Sequence, residues 1–221
     1  MKVLLPLPVL LALAACAPPP IEQIPATTAS PETLAMYGAV QDGDFIVPAI
    51  SPTYVTEDRK RQRVPYYAPY PPGTLVVDTG AHRLYLVEEG NMATRFAIGV
   101  GEAGLVFQGE ATVAYQRDWP GWTPTANMLR RDPETYGPWR AGMEGGLENP
   151  LGARALYLYR NGRDTLYRIH GTPYPWTVGE DASSGCIRLF NQDAIYLAEQ
   201  VQNGARVIVL DRSEAGSWTY S

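Results

Sequence analysis

The sequence predicts a mainly β domain, a sandwich or closed sheet of short strands, with one helix in its C-terminal half and a long aromatic loop. Three observations carry this prediction. Between residues 73 and 211, short runs rich in Val, Leu, Tyr and Thr alternate with turn residues at close spacing. Only residues 192–202 show clear helical periodicity. Residues 119–150 hold three tryptophans among prolines and glycines and lack strand-like alternation.

The chain has 221 residues and a net charge of −5, enough for one moderate domain with appendages. Its opening, MKVLLPLPVLLALAAC, has one lysine, an apolar run too short to span a bilayer, and small residues before Cys16. Leu13-Ala14-Ala15-Cys16 resembles the bacterial lipobox, in which the cysteine is lipidated and becomes the mature N-terminus. Residues 1–16 are therefore expected to be a lipoprotein signal peptide, with a plain signal peptide as the alternative. The protein would be exported, periplasmic and lipid-anchored. The outer membrane is favoured over the inner because Ala17, not Asp, follows Cys16.

Residues 17–72 are proline-rich and read as a tether followed by an extended segment that lies along the domain. The charged run Glu57-Asp58-Arg59-Lys60-Arg61 reads as a solvated face. A folded domain is expected over 73–211, with a short tail at 212–221. Strands are expected at 74–78 and 82–89, joined through Thr79-Gly80-Ala81, then at 93–100 after the turn Glu89-Gly90-Asn91. Further strands fall at 110–118, at 155–161 and 165–170 about an Asn161-Gly162 turn, and at 205–211. The last has apolar residues on both faces and suits the sheet interior. In the helix, Asn191 is expected to be the N-cap, Ala194, Ile195, Ala198 and Val201 the apolar stripe, and Asn203-Gly204 the stop. The segment 119–150, with one helical turn near 125–131, is expected to form a lid or wall beside the active site.

Several chemistries are excluded by what the chain lacks. There is no Lys/Arg-rich block for nucleic acid. The lysines are Lys2 and Lys60, and neither completes Ser-x-x-Lys; no Gly-x-Ser-x-Gly elbow exists. Two histidines, His82 and His170, are too few for a typical catalytic zinc site, so no metal is expected. Gly99-Val100-Gly101-Glu102-Ala103-Gly104 matches a dinucleotide fingerprint, but no helix opens after it and it reads as a glycine turn. No organic cofactor is expected.

What remains is residues 170–191, HGTPYPWTVGEDASSGCIRLFN. If Cys16 is lipidated or removed, Cys186 has no partner, and a lone thiol in an oxidising compartment is a liability unless used. The alternative is a buried, inert cysteine. In an extended strand Leu166, Arg168 and His170 share one face. Beyond the loop Cys186 and Arg188 share a face, with Ile187 and Leu189 facing the core. His170 is the candidate base for Cys186, and Arg188 either stabilises the thiolate or holds a substrate carboxylate. Backbone N–H groups of Ser184, Gly185 and Cys186 are candidates for an oxyanion hole. Tyr174, Trp176 and Asn191 are further candidates for substrate contact. His82 is expected at the surface.

His170-Gly171, then Ser183-Ser184-Gly185-Cys186-Ile187-Arg188-Leu189 and Asn191, resemble the signature of L,D-transpeptidases of the YkuD type. The resemblance covers most of 73–211, including Asn149-Pro150-Leu151-Gly152 and the Gly99–Gly104 turn. One position departs: Ser184 stands where the commonest signature has a second histidine. The resemblance implies that Cys186 attacks the L-centre of diaminopimelate in a peptidoglycan tetrapeptide stem and expels D-alanine. An amine of another stem would then take the acyl group, giving a 3→3 cross-link. His170 would act as base and then acid, with its ring oriented by the Gly171 carbonyl. Water as acceptor would make an L,D-carboxypeptidase, and a lysine would make an enzyme attaching lipoprotein to the wall. Outside catalysis, the alternative is a peptidoglycan-binding lipoprotein.

Overall fold

The structure, a computed structural model, describes residues 28–101, 107–182 and 186–219. In chain order, helix α1 (Pro31–Met36) precedes a hairpin of β1 (Val40–Asp42) and β2 (Phe45–Val47). Then come β3 (Gln62–Pro65), β4 (Leu75–Asp78), β5 (Arg83–Glu88), β6 (Met92–Ala97), β7 (Gly99–Gly101) and β8 (Gly109–Asp118). The aromatic segment holds α2 (Ala126–Arg131) and α3 (Pro133–Tyr136). The chain continues through β9 (Arg154–Arg160), β10 (Arg163–Thr172), β11 (Asp181–Ala182), β12 (Ile187–Phe190), α4 (Asn191–Gln200) and β13 (Arg206–Val209).

Eleven strands form one mixed sheet in the order β11-β7-β12-β10-β9-β8-β13-β4-β5-β6-β3. The hairpins β4–β5, β5–β6 and β9–β10 are the ones the turn residues predict, whereas β1–β2 falls in the segment expected to be an extended tether. At the β9–β10 turn Asn161 and Gly162 both have positive φ, 51° and 74°, which matches the twist of the flanking strands. β13 lies inside the sheet, parallel to β4 and antiparallel to β8. Strands distant in this order feed a single core: Leu75 and Val77, Leu84 and Phe96, Leu156 and Leu158, Ile169 and Leu189. The sheet therefore curves around that core, which α4 fills with Ala194 and Leu197; Val201, expected on the helix, follows its end in extended conformation and packs there too.

Helix α4 departs from expectation at its start. Phe190 occupies the N-cap without a side-chain cap bond, and Asn191 is the first helical residue. The Asn191 side chain is instead buried and accepts from Ala153 N–H at 2.9 Å. A Cβ on Gly152 or on Gly171 would sit 2.2 Å from Asn191 Oδ1, so both positions must be glycine while that side chain holds its place.

The proline-rich segment is folded from residue 28 onward. Ser30 caps α1, its Oγ accepting from Thr33 N–H at 3.1 Å. Tyr37 is fully buried edge-on against Phe190, ring centroids 5.4 Å apart. β3 then joins the large sheet as an edge strand on β6. The charged run 57–61 is not a solvated face. Arg61 Nη1 lies 3.0 Å from the fully buried Asp193, which also accepts from Tyr37 Oη at 2.9 and 3.1 Å. Arg59 pairs with Glu180 at 2.8 Å and Asp58 with Arg83 at 2.6 Å. These partners lie far away in sequence, and a run of mixed charges reads alike whether water or a distant residue satisfies it.

Residues after β13 also pack. Trp218 stands edge-on to Tyr66 and Tyr70, centroids 6.3 and 5.5 Å away, and Asp78 accepts from Gly216 N–H at 2.7 Å.

Candidate active site

Two parallel neighbours, β10 and β12, bring the sequence candidates together. Their register pairs Ile169 with Ile187, both in the core, and His170 with Arg188. One step back along each strand, Cys186 comes level with Arg168. The connection loops out and returns, so residues sixteen apart meet through strand pairing.

Cys186 and His170 line one cleft of about 790 Å³. Both are buried, with 8% and 3% of their surface exposed, so each reaches only the cleft. His170 Nδ1 is 2.6 Å from the Gly171 carbonyl. A carbonyl can only accept, so Nδ1 carries the proton and Nε2 keeps a lone pair for a base's work. Burial pulls the imidazole pKa down to about 4; the Gly171 bond opposes this, and the charges of Arg188 and Arg168 add to it. Burial raises the Cys186 thiol, against the Arg168 backbone N–H and the charges of Arg168 and Arg188. At neutral pH the resting pair is thus thiol and neutral imidazole, not an ion pair.

The strand face on which Leu166, Arg168 and His170 were aligned is interrupted. A bulge between Asp164 and Arg168 breaks the β9–β10 register, and Leu166 takes φ 64°, at a cost of about 1–2 kcal/mol for a residue with a Cβ. The Leu166 side chain points outward while its carbonyl accepts from Cys186 Sγ at 3.7 Å. Arg168 lines the cleft, lies 4.2 Å over the Tyr157 ring, and makes a two-pronged pair with Asp164 at 2.7 and 2.8 Å. Sequence reasoning placed Arg168 on the correct side but missed it as a site residue. The signal was the Asp164/Arg168 spacing, which an unbroken strand cannot close.

The opposite wall comes from the aromatic segment, as expected for 119–150. Trp122 and Met143 exchange backbone hydrogen bonds at 2.8 and 2.7 Å, drawing the segment into a closed loop. Thr125 caps α2 and Asp132 caps α3, each through its side chain. Trp122, Met128, Arg130, Arg131, Asp132 and Tyr136 face the cleft. With Arg168, three arginines face one aspartate, so the cleft favours an acidic ligand.

The remaining candidates are spread more widely. Arg188 is half-buried beside Cys186, with Tyr136 and Tyr174 near enough to influence its charge. Tyr174 and Trp176 stand on an exposed turn, rings 5.4 Å apart, with Tyr54 6.1 Å from Trp176; neither lines the cleft. Asn191 lies behind the site against Gly171. Ser184, Gly185 and Cys16 lie outside the described residues. His82 is half-buried, Nε2 3.0 Å from Asp181. Gly99–Gly101 is a strand between β11 and β12, and a Cβ on Gly99 would meet the Thr177 carbonyl at 2.2 Å, which accounts for the glycine there. Among the described residues, no group of three or more His, Cys, Asp or Glu is placed to hold a metal ion.

Comparison with known proteins gives the family. The YkuD family model, the L,D-transpeptidase catalytic domain, matches residues 72–209. The chain belongs to the L,D-transpeptidase family. It is 38% identical over 141 residues to "Probable L,D-transpeptidase ErfK/SrfK" of Salmonella typhimurium, covering 62% of this chain and 44% of that protein. It is 35% identical over 140 residues to "Probable L,D-transpeptidase YbiS" of Escherichia coli, with the same coverage. The match thus spans less than half the length of these curated relatives. A solved structure from Brucella melitensis is 48% identical, covering 68% of this chain and 93% of that one, with a TM-score of 0.49. Its name, "Probable carnitine operon oxidoreductase caia", speaks of another activity, which is said of that protein alone.

Proposed function

We propose that this chain is a cysteine L,D-transpeptidase that forms 3→3 cross-links in peptidoglycan through a thioester on Cys186. The observation that carries the reading is the shared cleft of Cys186 and His170, with the imidazole held by Gly171 in the tautomer that leaves Nε2 as base. His170 takes the thiol proton and the sulfur attacks the carbonyl of the L-centre of diaminopimelate. The C–N bond to D-alanine breaks as the imidazolium returns its proton to the departing amine. The side-chain amine of a second stem then attacks the thioester, His170 takes its proton, and the thiol is restored. Backbone N–H groups of Ser184, Gly185 and Cys186 serve the oxyanion, and Arg188 stays charged beside the sulfur. Stem peptides are rich in carboxylates, which suits a cleft lined by Arg130, Arg131 and Arg168. Tyr174 and Trp176 extend the substrate surface beyond the cleft.

Intact-mass analysis with a carbapenem tests this. One adduct is expected on wild type and none on Cys186→Ala; a well-folded wild type with no adduct points to a binding protein instead. Disaccharide-tetrapeptide then gives cross-linked dimer if the acceptor is a stem amine, or tripeptide if the acceptor is water. The same reading has the protein exported and held in the outer membrane by lipid on Cys16, so palmitate labelling should vanish in Cys16→Ser.

A further inference from the structure

The bulge in β10 does not serve the core, because the Leu166 side chain is 68% exposed. Yet its left-handed backbone is fastened from several directions. Leu166 N–H donates to Asp164 Oδ1 at 2.8 Å, and Arg168 grips both oxygens of the same carboxylate. Tyr167 N–H donates to Thr165 Oγ1 at 3.1 Å, and that hydroxyl donates to the Leu158 carbonyl across the hairpin at 2.5 Å. What this effort delivers is the Leu166 carbonyl, 3.7 Å from Cys186 Sγ, and two residues on, Arg168 level with the same sulfur.

We propose that Asp164 is a positioning residue for Cys186: by clamping Arg168 and the Leu166 turn, it fixes both the acceptor for the thiol proton and the cation beside the sulfur. The inference rests on Cys186 being the nucleophile. In the resting state the S–H points at the Leu166 carbonyl, which holds the proton in one direction. When the proton leaves for His170, the backbone N–H and guanidinium of Arg168, held on the same clamped segment, meet the new negative charge. The titratable and charged groups facing the sulfur are Tyr167, Arg168 and His170 on β10 and Arg188 on its own strand. Arg130, Arg131 and Asp132 line the same cleft from the wall, and the variants below leave them in place.

Asp164 offers a clean test, since its charge and its position predict opposite results. Removing a carboxylate near the sulfur would by charge alone favour the thiolate and lower its pKa. Removing a clamp frees Arg168 and raises it. The measurement is the pH dependence of iodoacetamide alkylation of the full chain, followed by the mass of the Cys186 peptide. In Asp164→Ala the midpoint is expected to rise by about one pH unit, which slows alkylation at pH 8 roughly tenfold. Asp164→Asn keeps an acceptor for the Leu166 N–H but loses the ion pair; it should shift part of the way, and it decides the matter if the alanine variant does not fold. An unchanged or lowered midpoint in a folded variant overturns the positioning role. Failure of the nucleophile reading looks different: wild type then forms no carbapenem adduct, and this inference falls with it.

Discussion

His170 shows how one residue's surroundings reach the behaviour of the whole protein. Its imidazole is buried, and its pKa is lowered to about 4 from an ordinary 6.5. Between those values the unfolded chain binds a proton that the folded chain refuses, so stability falls as pH drops through that window. The loss amounts to about 3 kcal/mol when complete. Urea unfolding at pH 7.5 and pH 4.5 should therefore show a larger drop for wild type than for His170→Gln; equal drops would contradict a buried neutral ring. Asn191 gives a second residue-level expectation. Its Oδ1 is the acceptor for the buried Ala153 N–H and abuts Gly171, whose carbonyl orients His170. Asn191→Ala should cost about 1–3 kcal/mol in urea unfolding, the range for a stranded buried donor. It should also slow carbapenem acylation, because Gly171 loses its backing.

Single elements are held by contacts their own sequence does not announce. Helix α4 begins with three buried polar residues, Asn191, Gln192 and Asp193, each hydrogen-bonded to residues outside the helix, although Gln192 Oε1 finds no partner among the described residues. Gln192 Nε2 donates to the carbonyls of Gly38 and Pro48, at 3.1 and 3.0 Å, and Asp193 is paired with Arg61. The N-terminal segment is thus pinned to the helix that follows β12. Arg61→Ala leaves the Asp193 carboxylate buried without its cation, and thermal unfolding should report a loss of about 3–5 kcal/mol. Asp193→Asn together with Arg61→Met should recover much of that loss, since the uncompensated charge is the source of the cost.

At the scale of the whole molecule, the β1–β2 hairpin braces the wall of the cleft from behind. Asp42 makes a two-pronged pair with Arg154 at 2.6 and 2.7 Å, where β9 leaves the wall segment. Phe45 packs on Trp119 at the other root of that segment, ring centroids 4.3 Å apart. Phe45→Ala should speed amide exchange over 119–150 while leaving β4–β6 as protected as before. Uniform exchange across both regions would mean that the hairpin does not stiffen the wall in particular.

The sequence alone determined the parts that local chemistry dictates. Alternating apolar runs and turn pairs such as Asn161-Gly162 marked the strands, and a helical turn was expected near 125–131, where α2 stands. The meeting of Cys186, His170 and Arg188 was legible because two short strands flank one loop and each presents its polar residue on a side fixed by alternation. Tertiary structure alone decided the rest. The Arg61–Asp193 pair joins residues 132 apart, the Asn191 side chain finds its partner on β9's approach, and Asp164 grips Arg168 only because a bulge breaks the alternation. The reason is common to all three. A buried charge or amide is satisfied by whatever the sheet register brings beside it, and register is a property of paired strands, absent from any single stretch of chain.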